Sequence, residues 1–331
     1  MKILQVLPYA ECGGTEKAVS LLSEGLTNRN HDITVFSPKG PGLDFFSNVE
    51  FLEMPLPSLF QPFRRRQIIS KIACNFDLIH IHAARELVSD YGIPVVFTPH
   101  SYYNKFDALM VSLFAKKANI ICFTNWESSL LQGLGVSKTH VIPNGIKTPS
   151  LVDKRENYHN QPPKIGYLGR LEKDKGLDIL LTELAKVDLP YELLIAGTGT
   201  QESALKKLAK KLKIPVKFLG LVSPFLFLQT LDIFVLPSRT ETFGLALVEA
   251  MASRLACVTS NVCGLSEIVA DAGICVPHNQ LSSSITTLLT SEKLRKQLGD
   301  KAVLRFQEHY TADKMVAATE DLYCQLVSES S

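Results

Sequence analysis

"DIFVLPSRTETFGLALVEAMASRLACVTS", Asp232 to Ser260, is the stretch that decides the fold. It opens on a short β-branched and aromatic run, "DIFVLPS", that reads as a buried strand. "RTETFG" is polar and ends in a glycine, so it reads as a loop. "LALVEAMAS" then places Leu245, Leu247, Val248 and Met251 on or near one side of a helix, and "ACVTS" is a strand again. Strand, loop, helix, strand is a βαβ unit, and such a unit joins parallel strands. The stretch also holds two carboxylates. Glu241 precedes the helix, where a negative charge gains ~0.3–1 kcal/mol from the helix dipole. Glu249 lies inside it, and a carboxylate in an otherwise apolar helix is costly without a partner.

The same alternation runs outward in both directions. Towards the N-terminus stand "KILQVL", "DITVF", "VEFLEM", "DLIHIH", "PVVFT", "NIICF" and "HVIP", with helical patterns such as "TEKAVSLLSEGLTNR" and "DALMVSLFAKKA" between several of them. Asn144 to Pro163 is polar and rich in turn formers and reads as a linker. After it come "KIGYLG", "YELLIAG", "VKFLG", "IFVLPS", "ACVTS" and "GICVP", each followed by a helical stretch, and two polar-apolar helices from Ser291 to His309 and Thr311 to Val327. Strands alternating with helices predict an α/β fold of two Rossmann-like, doubly wound domains. The expected boundaries are 1–150, 151–310 and a C-terminal helix at 311–331 that packs back on the first domain. Two such domains on one linker are expected to face each other across a cleft. Ligands in such sheets bind off the carboxyl ends of the strands, so the chemistry belongs in the loops that follow strands.

Composition bounds the rest. At ~150 residues per domain, 331 residues suit two domains. With 46% hydrophobic and 21% charged residues, the chain is ordinary globular material. No apolar run reaches the ~18–20 residues of a membrane span, and "MKILQVLPYAECGG" reads as a first strand, not a signal peptide. A cytoplasmic protein is expected, and seven scattered cysteines without a Cys-x-x-Cys pair suit reduced thiols. A net charge of 35 − 33 = +2 gives no argument for nucleic acid. "PFRRRQIISKIA" is a basic cluster leading an amphipathic stretch. A solvated helix end is the commoner fate of such a cluster, and peripheral contact with an anionic membrane surface is the alternative.

Three loops carry candidate chemistry. "PYAECGGTEK" places Gly13 and Gly14 at the start of a helix, where free amides favour anions. "YLGRLEKDKGLDIL" places Arg170 and Lys175 beside a strand end, with Gly176 opening the next helix, and two cations there suit a diphosphate. Surface charges with no such role are the commoner fate of Arg and Lys, and position is what favours function here. In the Asp232–Ser260 unit, Gly244 allows a ligand close to the backbone. Glu249 can accept from two adjacent ribose hydroxyls, and Glu241 from the hydroxyls of a sugar further along. "IAGTGTQE", with Gly197, and "PYAECGG" both lack the G-x-G-x-x-G spacing, so a nicotinamide enzyme ranks last. His80 and His82, two apart on one strand, share a face and read as core or cleft-lining rings, not a metal pair.

Glu241 and Glu249 resemble the E-x7-E motif of the glycosyltransferase family 4 type, a group of retaining enzymes with the GT-B fold. "GGTE" at 13–16 and "GRLEKDKG" at 169–176 are similar to that family's Gly-Gly-x-Glu and Gly-Arg-x(4)-Lys-Gly loops, and "FDLIHIHAA", "VVFTPHS", "VIPNGI" and "IAGTG" resemble further landmarks in the same order. The resemblance runs from near residue 1 to about Ala272. It implies that Arg170 and Lys175 hold a donor diphosphate, with Gly197 beside it. Glu249 would bind ribose and Glu241 the transferred sugar, and the amides around Phe243, Gly244 and Leu245 would support both. It places His100 at the reacting centre, and Gly13 and Gly14 beside the phosphate and acceptor. It implies a nucleotide-sugar substrate (UDP- or GDP-linked), a glycan, lipid-linked or small-molecule acceptor, and no metal; the chain has no Asp-x-Asp. His100, Glu241, Arg170 and Lys175 are thus the expected catalytic set.

The chain departs from the pattern at Ser101 and Lys147, where an Asp is common, and at "HNQLSSS" after "GICVP". These departures touch the acceptor side more than the donor side. The alternative to an enzyme is a non-catalytic nucleotide-sugar binder of the same fold or a partner subunit. A GT-B epimerase or phosphorylase is a further rival.

Overall fold

Every strand expected from the sequence is present. The structure, a computed structural model, describes residues 1–11, 13–46, 49–55, 61–100, 105–116, 118–149 and 162–330. Cys12, Ser101 and most of the expected linker lie outside the described residues. The chain divides into two compact units, Met1–Lys147 with Thr311–Ser331, and Thr148–Tyr310.

The first unit runs β1 (Lys2–Val6), α1 (Gly14–Thr27), β2 (Asp32–Ser37), β3 (Glu50–Glu53), α2 (Gln61–Ile72), β4 (Leu78–His82), β5 (Val95–Thr98), α3 (Lys105–Ala115), β6 (Asn119–Cys122), α4 (Asn125–Gly133) and β7 (Thr139–Val141). The second runs β8 (Lys164–Leu168), α5 (Leu177–Leu184), β9 (Glu192–Ala196), α6 (Glu202–Leu212), β10 (Val216–Gly220), α7 (Pro224–Leu228), β11 (Ile233–Leu236), α8 (Leu245–Ala252), β12 (Ala256–Ser260), α9 (Leu265–Val269), β13 (Ile274–Val276), α10 (Leu281–Thr290) and α11 (Glu292–His309). The last helix, α12 (Ala312–Ser330), belongs to the first unit.

Both sheets are parallel, with orders β3-β2-β1-β4-β5-β6-β7 and β10-β9-β8-β11-β12-β13. Each reverses direction once, between β1 and β4 and between β8 and β11. At such a switch point the loops leaving the two central strands diverge, and a crevice opens off their carboxyl ends.

Strand alternation divides the first unit's core in two. Leu4, Val6, Ile79, Ile81 and Phe97 face Ile69 of α2, Ala108 and Val111 of α3 and Leu131 of α4. Ile3, Ile33, Leu78 and Val96 face Val19 and Leu22 of α1 and Val316, Leu322 and Tyr323 of α12. Local signals fix the helix starts. Thr124 caps α4 by accepting from the Glu127 amide at 3.2 Å, while the Glu127 carboxylate accepts from the Phe123 amide at 2.6 Å. Ser291 caps α11 through the Leu294 amide.

Two readings of the sequence need correction. Asn144 and Ile146, taken as the start of a linker, are buried in the first unit. Ile146 pairs with Thr311, and Gly145 is needed because a Cβ there would overlap the Thr311 carbonyl. The three arginines of α2 also do not form one basic patch. Arg65 is buried and donates twice to the Pro55 carbonyl, and Arg66 donates to the Glu86 carbonyl, which leaves Arg64 exposed. A guanidinium carries five donors, and here two of the three are spent on main-chain oxygens. No helix among the described residues is long and apolar enough to cross a membrane.

Candidate active site

In the second unit, the loop after β8 carries Arg170 and Lys175, and the loop after β11 carries Glu241 and Gly244. These loops flank the switch point. They are laced together. Lys175 Nζ lies 2.9 Å from Glu241 Oε2 and 3.6 Å from Asp174 Oδ2. Ser238 Oγ stands 3.3 Å from the same Glu241 oxygen. The Arg239 amide donates to the Asp174 carbonyl at 2.7 Å, and its guanidinium forks onto Asp178 with two bonds of 2.7 Å. That fork holds the Asp178 carboxyl below its ordinary range, chiefly through the hydrogen bonds from Arg239. Sequence reasoning missed Arg239 and Asp174; their only signal was their position inside the two motif loops.

Exposure separates the two cations. The Lys175 side chain is 15% exposed and already paired, whereas the Arg170 side chain is 63% exposed, with Asp174 at 3.7 Å as its ion-pair partner among the described residues. Arg170's main chain is nevertheless fixed, because the buried Tyr167 hydroxyl donates to its carbonyl at 2.8 Å.

Gly244 sits at the N-cap of α8 with φ 82° and ψ 60°, a left-handed conformation that favours glycine. The Leu247 and Val248 amides both turn to the Gly244 carbonyl, at 2.8 and 3.2 Å, so the donors that α8 presents at its start are the amides of Leu245 and Ala246. Phe243 is buried, and its ring meets Tyr310 edge-on at 5.8 Å. Leu247, Val248 and Met251 are buried as the spacing predicts, while Leu245 and Glu249 are part-exposed. Glu249 therefore lies on the less covered side of α8, about one turn in from Glu241's loop.

Gly197 is required by backbone fit. Its amide is spent on the Gly220 carbonyl at 2.7 Å, and a Cβ on it would overlap the Gly169 carbonyl oxygen. It lets the Arg170 loop pass close to the β9 end, and its N–H is not open to a phosphate.

In the first unit, Gly13 caps α1 after β1 without a side-chain bond. Glu16, the fourth residue of "GGTE", is buried and accepts from the Glu11 amide at 2.8 Å, pinning this turn. Towards the carboxyl edge of the sheet, the face that α1 and α12 cover turns from apolar to polar. Ile3 gives way to Gln5 on β1, Leu78 to His80 and His82 on β4, and Val96 to Thr98 on β5, and all four polar side chains are buried. His80 bonds Tyr323 of α12 and Thr98. His82 bonds Gln5 at 2.7 Å and His100 at 2.9 Å. The rings of His80 and His82 lie 3.9 Å apart, as their two-residue spacing predicts. Burial pushes His80 and His82 well below the ordinary imidazole range, with neighbouring histidines adding to the effect. It takes His100 down to about 3. All three rings are neutral at pH 7. His100 has φ 60°, a conformation that costs ~1–3 kcal/mol for a non-glycine residue and is concentrated at functional sites.

The comparisons with known proteins agree with this layout. Residues 152–305 match the family "Glycosyl transferases group 1", and residues 12–149 match "Glycosyltransferase Family 4". The chain is 30% identical to an O-antigen biosynthesis glycosyltransferase, WclY, of Escherichia coli, over 58% of this chain and 57% of that protein. It is 28% identical to a phosphatidyl-myo-inositol mannosyltransferase of Mycolicibacterium smegmatis, over 89% of this chain and 86% of the relative. Among solved structures, the Anabaena protein Alr3699/HepE, in complex with UDP and glucose, superposes with a TM-score of 0.82 at 20% identity, covering 98% of this chain and 100% of that one.

Proposed function

We propose, for a chain that belongs to the group 1, family 4 glycosyl transferases, that it moves a hexose-type sugar from a UDP- or GDP-sugar to an acceptor hydroxyl with retention at the anomeric carbon. The carrying observation is the laced cluster at the β8/β11 switch point, where Arg170, Lys175 and Glu241 meet on two loops that Arg239 ties together. In this reading the exposed Arg170 guanidinium meets the donor diphosphate first. Lys175 Nζ, turned partly from Glu241, takes a second oxygen, and the α8 amides take a third. Charge that develops on the leaving diphosphate is stabilised by groups already in place, which lowers the barrier without reorganisation.

Glu249 accepts from the ribose hydroxyls, and Glu241 orients the sugar. The bond from the anomeric carbon to the phosphate oxygen breaks, the acceptor oxygen attaches on the same face, and its proton passes to the departing phosphate. The neutral His100 is no proton donor, and its part is to contact a substrate hydroxyl.

Thermal shift with UDP-, GDP- and ADP-sugars tests the donor: a ligand at 100 times its Kd stabilises by ~2.7 kcal/mol. Steady release of the nucleoside diphosphate with an acceptor, and an unchanged anomeric configuration in the product, support the reading. Tight binding with no release in any acceptor mixture would leave a non-catalytic binder.

A lipid-linked acceptor is favoured over a free one by α3. The side of that helix turned from the core exposes Phe106 (65%), Leu113 (66%), Leu109 and Phe114. An exposed apolar face of this kind suits peripheral contact with a membrane, with Arg64 and Lys116 exposed nearby in sequence to Phe63 and Phe114. Co-sedimentation with anionic vesicles that weakens in salt and in Phe106→Ser supports this placement on a cytoplasmic membrane face; no binding at low salt contradicts it.

A further inference from the structure

The buried polar layer of the first unit has a direction, and it ends on His100. Gln5 Oε1 stands 2.7 Å from His82 Nε2. With the Gln5 amide turned this way its oxygen accepts and the hydrogen of that bond sits on His82 Nε2; the Gln5 amide nitrogen is then buried without a hydrogen-bond partner, and the reversed amide would invert each step that follows. A neutral imidazole carries one N–H, so His82 Nδ1 is then a lone pair. That atom lies 2.9 Å from His100 Nε2, and a hydrogen bond there needs the hydrogen on His100 Nε2. His100 is neutral too, so its Nδ1 is left bare. Among the described residues, nothing else is hydrogen-bonded to the His100 ring. The backbone holds the ring in place at a conformational cost: His100 and Ala83, at the ends of the neighbouring strands β5 and β4, have φ of 60° and 56°. Phe123 braces the ring edge-on at 5.5 Å.

We propose that Gln5 and His82 are positioning residues that fix His100 in the tautomer with a bare Nδ1, so that His100 receives a hydrogen bond from a substrate hydroxyl. The part that concerns substrate rests on the placement of His100 at the reacting centre; the tautomer does not. The consequence is selectivity. A bare nitrogen attracts a hydroxyl and repels a phosphate, carboxylate or carbonyl oxygen, because two lone pairs would then meet. The substrate group opposite His100 is therefore a hydroxyl, and a sugar that carries an anionic or acyl oxygen at that position is rejected.

Two measurements on the full chain test this. In protein labelled with nitrogen-15 at histidine, ring NMR at neutral pH should show His82 and His100 both protonated at Nε2 and bare at Nδ1. Protonation of His100 at Nδ1 overturns the proposal and leaves the donor site of the second unit untouched. Gln5→Glu puts a carboxylate beside His82 Nε2. That draws a second proton onto His82, whose Nδ1–H then faces His100, and the His100 hydrogen should move to Nδ1. A merely structural role for Gln5 would not move that signal.

Turnover of UDP-glucose and GDP-mannose and of their monodeoxy forms supplies the second readout. In the natural protein, removing one particular hydroxyl should cost roughly tenfold or more, the scale of one hydrogen bond. In Gln5→Glu the same removal should cost little. A correct tautomer with equal sensitivity in both proteins would overturn the substrate half and remove His100 from the reacting centre. A melting curve for Gln5→Glu excludes unfolding as the cause, and the NMR of the natural protein stands without the variant.

Discussion

Lys175 Nζ is paired with Glu241 at 2.9 Å before any phosphate arrives, so removing either side chain frees the other. With Lys175→Ala, Glu241 loses its counter-ion and, on the proposed function, a donor diphosphate loses a charge. Turnover should fall by ~10²-fold or more, the scale of one lost charge-stabilising donor. Glu249→Ala should chiefly weaken donor binding, read as a raised Kd with a smaller change in turnover. Natural kinetics in both purified variants would refute this assignment. The histidines make a separate prediction. His80, His82 and His100 bind protons more weakly folded than unfolded. As pH falls below the unfolded value near 6.5, the unfolded chain takes up protons that the folded rings refuse, and stability is lost. Each ring contributes a slope of up to ~1.4 kcal/mol per pH unit. Paired carboxylates such as Asp178 titrate lower and do not mask the window. Urea midpoints should therefore drop between pH 7.5 and 5.5, and a flat profile would show that the rings are not buried neutral.

At the scale of elements, the two loops of the second unit are held as one piece by Arg239 and by backbone fit. Gly197→Ala would push a methyl into the Gly169 carbonyl and shift the strand end that launches the Arg170 loop. Gly244→Ala would force a left-handed residue at the α8 N-cap, at a cost of ~1–2 kcal/mol. Both should lower the melting temperature. Gly197→Ala should also lower donor affinity in calorimetry, because it displaces Arg170; undiminished affinity would separate that glycine from the site. The βαβ order was legible in the sequence because strand and helix periods are local. The lacing was not, since Lys175 meets Glu241 and Arg239 meets Asp178 across more than sixty residues of chain.

At the scale of the whole chain, the last helix belongs with the first unit, where Met315, Val316, Leu322, Tyr323 and Leu326 join the core under α1. Leu322→Ala removes buried methyl groups there and should cost ~2–5 kcal/mol. If the units melt separately, calorimetry should show the loss in the first unit alone, while a nucleotide-sugar raises the melting of the second. Equal shifts of both transitions would show that the two unfold together.

Sequence periodicity by itself determined two parallel α/β units, and motif position marked the strand-end loops that carry Arg170, Lys175, Glu241, Glu249 and His100. Both signals survive in a linear string because they depend on spacing and on which residue follows a strand. Tertiary structure alone decided that two of the three arginines of α2 are spent on carbonyls, that Gly197 serves backbone fit, that Arg239 ties the two loops together, and that His82 joins Gln5 to His100. Each of these depends on which distant backbone or side chain arrives opposite, and that is set by how the strands pair and how the loops return.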